Sequence, residues 1–252
     1  MAKKRIARQL LVSNVAQLTP NMRRVTLQGE DLANLPEDAE GGYFKLNFPG
    51  QEPDRPTLRT YTISKHRPEL QEIDVDFMLH TSSDGSSSGV AAAWATQTRI
   101  GDKMAIFGPA PATYINDQAD WFLMAADMTG LPALMANIPK LASDACGYIV
   151  IEIMSIEDQQ ELIIPTGMEL IWVVNPEPGS DQSPLNHAIK ELEWLEGKVA
   201  IWCACEFKTM RKNRQYFRED RSVDKSHVYI SSYWKKGLQE EEHKIEKSKD
   251  AA

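Results

Sequence analysis

Arg59-Thr60-Tyr61-Thr62 places a guanidinium, a flat aromatic ring and two hydroxyls on one short segment. The cation suits a diphosphate, the ring offers a stacking surface, and the Thr62 hydroxyl can bond the heteroatom edge of a planar ring system. Together these are the needs of a flavin nucleotide. Taken singly, each residue has an ordinary reading, Tyr61 as a strand aromatic in the core and Arg59 as a surface cation. A second candidate is the Ser/Gly loop 82–89, which runs into a predicted helix over 90–98. Unpaired backbone N–H groups at such a junction, together with the helix dipole, favour a phosphate, and the alternative is a capped surface loop.

Strands must position the first of these groups. Up to about Phe107 the apolar residues alternate with period two, punctuated by Pro, Gly and Asp. Phe44, Leu46 and Phe48 share one face and Lys45 and Asn47 the other, which leaves Lys45 exposed; Arg59 and Tyr61 likewise oppose Thr60 and Thr62. Ile73, Val75, Phe77 and Leu79 oppose Asp74, Asp76, Met78 and His80. Short strands at this spacing predict a small antiparallel β-barrel. His80 reads as a hydrogen-bonded strand end, and Trp94 and Trp234 read as packing residues.

After Asn116-Asp117-Gln118-Ala119-Asp120 the pattern changes. Apolar runs at 121–126, 148–154, 169–174, 199–204 and 228–231 alternate with helical stretches at 131–141, 184–195 and 207–219. That alternation predicts an open parallel sheet covered by helices on both faces, with domains spanning 1–117 and 118–252. Ligands of such sheets bind at the carboxyl ends of the strands. The first such end, Ala126-Asp127-Met128-Thr129-Gly130-Leu131-Pro132, holds one glycine where a dinucleotide turn would show G-x-G-x-x-G, so a conventional nicotinamide site has no motif support. The charge-dense segment from Trp234 onward, with Leu238 and Ile245 as its sizeable apolar residues, reads as a solvated helix or a frayed tail.

Composition bounds the partners. The chain has 252 residues, 42% apolar and 25% charged, as expected of a soluble folded enzyme. Its net charge of −8 argues against nucleic acid or anionic membrane, because both need a basic surface, so any anionic ligand must meet a local basic patch. The start of the chain shows neither a signal core nor a bilayer-length span, and a cytoplasmic location without membrane insertion is expected. Cys146, Cys203 and Cys205 suit a reducing compartment. The pair in Cys203-Ala204-Cys205 is expected to be inert, with its thiols on opposite faces of a strand. No metal site is expected.

A barrel with R-x-Y-T joined to an open α/β half resembles the ferredoxin–NADP reductase superfamily. Lys45-Leu46-Asn47-Phe48-Pro49, the strand Asp76 to His80 and Tyr233-Trp234-Lys235-Lys236-Gly237 narrow the resemblance to the siderophore-interacting proteins, FAD-dependent ferric-siderophore reductases, across nearly the whole chain. The resemblance implies that Arg59 contacts the FAD diphosphate, Tyr61 stacks on the isoalloxazine and Thr62 bonds its N5 edge, with Thr60, Asp76, Phe77, His80 and Thr129 also at the cofactor. Gly89, Ala91 and Ala92 match the family's helix start against the pyrophosphate, although this copy lacks the Pro and Ser of that motif. No side chain is implied as catalytic, since the flavin performs the redox step. Lys45, Lys235 and Lys236 are implied as the basic patch for a ferric siderophore, and a monomer is expected. Ala126-Asp127-Met128-Thr129 and Ala204-Cys205-Glu206-Phe207 depart from the family's turns, which leaves ferredoxin and NAD(P)H open as electron donors. A general FAD-dependent oxidoreductase with another acceptor and a non-catalytic siderophore-binding protein are the alternatives.

Overall fold

The computed structural model describes residues 7–52, 55–79 and 89–251, and the chain divides into two compact units, Met1–Ala112 and Thr113–Ala252. The first unit is a seven-stranded antiparallel sheet. Its strands are β1 (Arg8–Thr19), β2 (Met22–Gln28), β3 (Tyr43–Glu52), β4 (Arg55–Thr62), β5 (Lys65–Arg67), β6 (Glu72–Met78) and β7 (Lys103–Ala110), in spatial order β4-β3-β7-β1-β2-β6-β5. The fold is barrel-like, but the ladder does not close, because β4 and β5 stand at its two edges. These two edges are successive parts of the chain. Between them Ile63 N–H donates to Gly42 O at 2.8 Å and Ser64 N–H to Asp74 O at 2.9 Å, so the segment passes from the β3 side to the β6 side.

Alternation decides which side chains fill the interior. Phe44, Leu46, Phe48, Val25, Leu27, Ile73, Val75 and Phe77 form one buried cluster, the arrangement required when one face of each strand meets the core. The opposite face of β2, β6 and β5 is buried too, by charge pairing. Arg24 holds Asp76 through two bonds of 2.7 and 2.8 Å, Arg67 holds Asp74 at 2.9 and 2.6 Å, and the Thr26 hydroxyl donates to Asp74 at 2.8 Å. One helix, α1 (Val90–Gln97), packs against β2 and β6 through Ala91, Ala95 and Trp94.

The second unit carries the predicted parallel sheet. Its strands β8 (Trp121–Ala126), β9 (Cys146–Ile153), β10 (Gly167–Val174), β11 (Val199–Glu206) and β12 (Val228–Trp234) lie in the order β10-β9-β8-β11-β12. The central β8 and β11 are buried along their whole length, as near-continuous apolar runs should be. Gly147 has φ +130°, and a Cβ there would lie 2.0 Å from Phe122 O, so only glycine lets β9 start against β8.

The helices are α2 (Leu131–Asn137), α3 (Pro184–Glu191), α4 (Phe207–Gln215) and α5 (Glu240–Ala251). Three end earlier than periodicity alone predicts. α2 tightens into a 3-10 turn at Ile138–Lys140, which contains Pro139; α3 stops where Leu192 turns extended; α4 widens into a π-turn over Tyr216–Asp220. The charged terminal segment is the helix α5. One expectation is corrected: Cys203 and Cys205 point to the same face of β11, with sulfurs 3.9 Å apart, because residues two apart on a strand share a face.

Candidate functional site

In the first unit the register sets the site. Phe44 faces Tyr61, Lys45 faces Thr60 and Leu46 faces Arg59 across β3 and β4, so Arg59 and Tyr61 share the inner face while Thr60 and Thr62 share that of Lys45. Tyr61 is half-buried, its ring 4.5 Å from that of Phe77 at 37°, and Phe77 in turn lies 5.6 Å from Trp94 of α1. Phe48 closes this aromatic group against Trp94 at 5.8 Å. Phe77 is fully buried, so its ring supports Tyr61 from beneath. Arg59 Nη1 donates to Leu58 O at 2.8 Å, and Lys45 Nζ donates to the Thr60 hydroxyl at 2.8 Å.

α1 starts at Gly89 with φ +86°, and among the described residues no side chain caps its first N–H groups. The first backbone bond of the helix runs from Ala93 N–H to Gly89 O at 3.1 Å, and the amides of Ala91 and Ala92 precede it at the helix start. Trp94 ties this helix to Phe77 and, through it, to Tyr61. A supported aromatic ring, an arginine on the same strand face and an uncapped glycine-led helix start form a donor set that fits a dinucleotide carrying a diphosphate and a planar ring. Asp76 has its carboxylate engaged by Arg24 on the opposite face. His80 and residues 82–88 lie outside the described residues.

Sequence reasoning missed Arg23. It pairs with Phe77 across β2 and β6 and therefore shares the inner face, where its Nε is buried without a hydrogen-bond partner. The signal was available in Met22-Arg23-Arg24-Val25-Thr26-Leu27, where Arg23 has the parity of the apolar Val25 and Leu27, whereas Arg24 has that of Thr26.

In the second unit the carboxyl edge of the sheet gathers buried polar groups. Asp127, after β8, accepts from Thr129 N–H (2.9 Å), the Thr129 hydroxyl (2.6 Å), Gly130 N–H (3.1 Å) and Trp234 Nε1 (2.8 Å). Burial pushes its carboxyl above the usual range in spite of these bonds. Thr129 is thus spent on fixing the turn. Gly130 is a packing residue, since a Cβ there would lie 2.4 Å from Ala204 O. Glu206 caps α4 by accepting from Lys208 N–H (2.6 Å) and Thr209 N–H (3.3 Å), and also receives Lys236 N–H at 3.2 Å. Glu152 of β9 is buried and accepts from Leu185 N–H at 3.2 Å; burial, with the charge of Asp127 adding to it, lifts its carboxyl to about 7.

Lys235 and Lys236 follow β12 at this same edge. Lys235 does not stand as a solvated cation: its Nζ lies 2.8 Å from Glu246 of α5 and 4.6 Å over the Phe207 ring. Lys236 packs against Gly179, whose missing side chain makes room for it.

The family model for siderophore-interacting FAD-binding domains matches residues 11–54 and 50–113, and that for siderophore-interacting proteins matches 119–237. The chain belongs to the siderophore-interacting protein family. Among its relatives, the ferric vibriobactin reductase ViuB of Vibrio cholerae is 31% identical over 249 residues, covering 91% of this chain and 90% of that one. The NADPH-dependent ferric-chelate reductase of Escherichia coli is 25% identical, covering 90% and 92%. A crystal structure of the siderophore-interacting protein SipS from Aeromonas hydrophila matches with a TM-score of 0.85 at 30% identity, covering 98% of each chain. As a family member the chain binds FAD through its first unit. Among the described residues no group of His, Cys, Asp or Glu is placed to hold a metal, and no helix is long and apolar enough to cross a membrane.

Proposed function

We propose that this chain is an FAD-dependent oxidoreductase that reduces Fe(III) held in a siderophore to Fe(II). The observation that carries the reading is the seating of Tyr61 on Phe77, which itself packs against Trp94 of the Gly89-led helix α1, with Arg59 on the same strand face as Tyr61. The relatives' names, ferric vibriobactin reductase and ferric-chelate reductase, support the acceptor. Bound FAD supplies electrons, one for each ferric ion. Fe(III) is a hard ion suited to catecholate or hydroxamate oxygens, and Fe(II) fits them less well, so reduction loosens the complex.

The protein's part is binding and electrostatics. Arg59 is assigned to the diphosphate together with the Gly89, Ala91 and Ala92 backbone, Tyr61 to stacking, and Thr60 and Thr62 to the ring edge. Phe77 and Asp76 act behind these groups, one beneath Tyr61 and the other by holding Arg24. Arg23 adds a second cation on the inner face. In the second unit Thr129 shapes the β8 turn, and Lys235 and Lys236 are the cations proposed for an anionic ferric complex; in the first unit Lys45 is a candidate cation for such an anion. An acidic chain needs such a local patch to hold an anion.

NAD(P)H is the donor class favoured by the name of the Escherichia coli relative, with ferredoxin as the alternative. A monomer in the cytoplasm fits the free thiols and the open faces that exchange with two bulky partners requires. The test is anaerobic: the flavin is reduced with NADH, NADPH or ferredoxin in parallel, then mixed with ferric catecholate and ferric hydroxamate complexes. Flavin reoxidation with Fe(II) formation supports the reading. A protein that fails to take up FAD, or a reduced flavin that reoxidises no faster with ferric complex than without it, sinks it.

A further inference from the structure

We propose that Glu246 competes with the ferric complex for Lys235, so that α5 sets the affinity for anionic substrates. This rests on the reading of Lys235 as a substrate cation. Lys235 sits at the carboxyl edge of the parallel sheet, where ligands of this architecture bind. Its Nζ is 2.8 Å from Glu246 Oε2, while Glu246 Oε1 is 3.0 Å from Lys249 Nζ. The carboxylate therefore bridges one cation on the sheet edge and one on its own helix, and keeps the second when it gives up the first.

The other anchors of α5 do not depend on this pair. His243 Nε2 and the Ser232 hydroxyl are 2.8 Å apart in the interior, Lys247 Nζ donates to Ser231 Oγ at 2.6 Å and Ser232 O at 3.1 Å, and Asp250 meets Arg214 at 2.7 Å and Arg211 at 3.1 Å. Exchange at Lys235 thus needs only the Glu246 side chain to move, with the helix in place. Both side chains keep some solvent contact, 20% for Lys235 and 33% for Glu246, so another anion can reach the ammonium and replace the carboxylate.

Charge gives the exchange its direction. A ferric tris-catecholate is a trianion and outcompetes a single carboxylate. One electron from the flavin makes it a tetra-anion of Fe(II). Six protons taken from water then convert the ligand to neutral catechols as the Fe(II) dication leaves, which balances charge and atoms. The neutral ligand has no claim on Lys235, and Glu246 returns.

The test uses the FAD-loaded protein, with equilibrium titration of a ferric tris-catecholate and of a neutral ferric tris-hydroxamate. Glu246→Gln is expected to tighten the trianion about five-fold, the ratio for a partly exposed pair near 1 kcal/mol, and to leave the neutral complex unchanged. Lys249→Ala is expected to act in the opposite direction, since Glu246 then has Lys235 alone, whereas a general loosening of α5 would move both variants the same way. In a Lys235→Ala background Glu246→Gln should be silent. In turnover Glu246→Gln should lower KM for the tris-catecholate with kcat unchanged at neutral pH, and strengthen inhibition by the iron-free ligand at alkaline pH, where that ligand is an anion. If Lys235→Ala weakens the trianion and Glu246→Gln does not tighten it, the competition is wrong and Lys235 keeps its role. If Lys235→Ala has no effect, the assignment of Lys235 to substrate fails and the competition falls with it.

Discussion

Arg23, proposed as a second cation at the cofactor, is expected to be worth more to binding than to folding. Its Nε is buried without a partner beside Phe77, while Arg24, its neighbour, takes the carboxylate of Asp76. A half-buried polar group left unpaired destabilises a fold. Arg23→Gln is therefore expected to raise the melting temperature of FAD-free protein, and to weaken FAD about ten-fold by flavin fluorescence, the size of one charge-assisted hydrogen bond. Unchanged FAD affinity would remove Arg23 from the site. Glu152 gives a pH test. Burial raises its carboxyl from 4.5 to about 7 in the fold, so the folded state holds the proton more tightly than the unfolded chain. That contribution is whole below pH 4.5 and is lost as pH rises through 7, a loss of up to ~3 kcal/mol. Glu152→Gln should melt higher than the parent at pH 8 and with it at pH 4.5.

At the scale of elements, the pairing of β2, β5 and β6 is held on its polar face by Arg24, Arg67, Asp74 and Asp76. Burial raises the Asp74 carboxyl, but Arg67, Thr26 and Arg24 outweigh it and hold it below its ordinary 3.8. The sign is then opposite to that of Glu152: the stability is present above pH 3.8 and is lost as pH falls through the lower folded value. Asp74→Ala should cost about 2 kcal/mol by urea unfolding at pH 7, less than for a fully buried pair because both guanidinium groups keep some solvent. Part of this architecture was legible in the sequence. Period-two alternation gave the faces of β3, β4 and β6 because a strand's geometry is local, and continuous apolar runs gave the parallel sheet. What was not legible is non-local or terminal. Nothing near Asp76 announces Arg24, 52 residues away, nor does the Trp234 segment announce that its indole bonds Asp127. Helix ends were missed where backbone geometry changes at Pro139 and Leu192. The placing of the Cys203 and Cys205 thiols was open to correction from the strand period alone.

On the scale of the whole chain, a net charge of −8 surrounds whatever cations meet the ferric complex. Attraction between Lys45, Lys235 or Lys236 and an anion must overcome that field locally, and salt weakens the local term. The dissociation constant of a ferric tris-catecholate is therefore expected to rise between low salt and 0.5 M salt, with that of a neutral ferric tris-hydroxamate nearly flat, both read by fluorescence titration. A flat response for both would place substrate recognition outside the lysines.

The passage through Ile63 and Ser64 works as a ruler. One of these residues is pinned to Gly42 and the other to Asp74, so the count of residues between the ladder of β4 and that of β5 has no slack. Adding one residue there would turn over every side chain on one side of the insertion relative to the other. Either Tyr61 would leave the face of Phe77 or His66 would leave that of Ile73, its partner across β5 and β6. Homologous chains that share this fold should therefore vary in the loops flanking these strands while keeping the interval from Tyr61 to His66 at a fixed length.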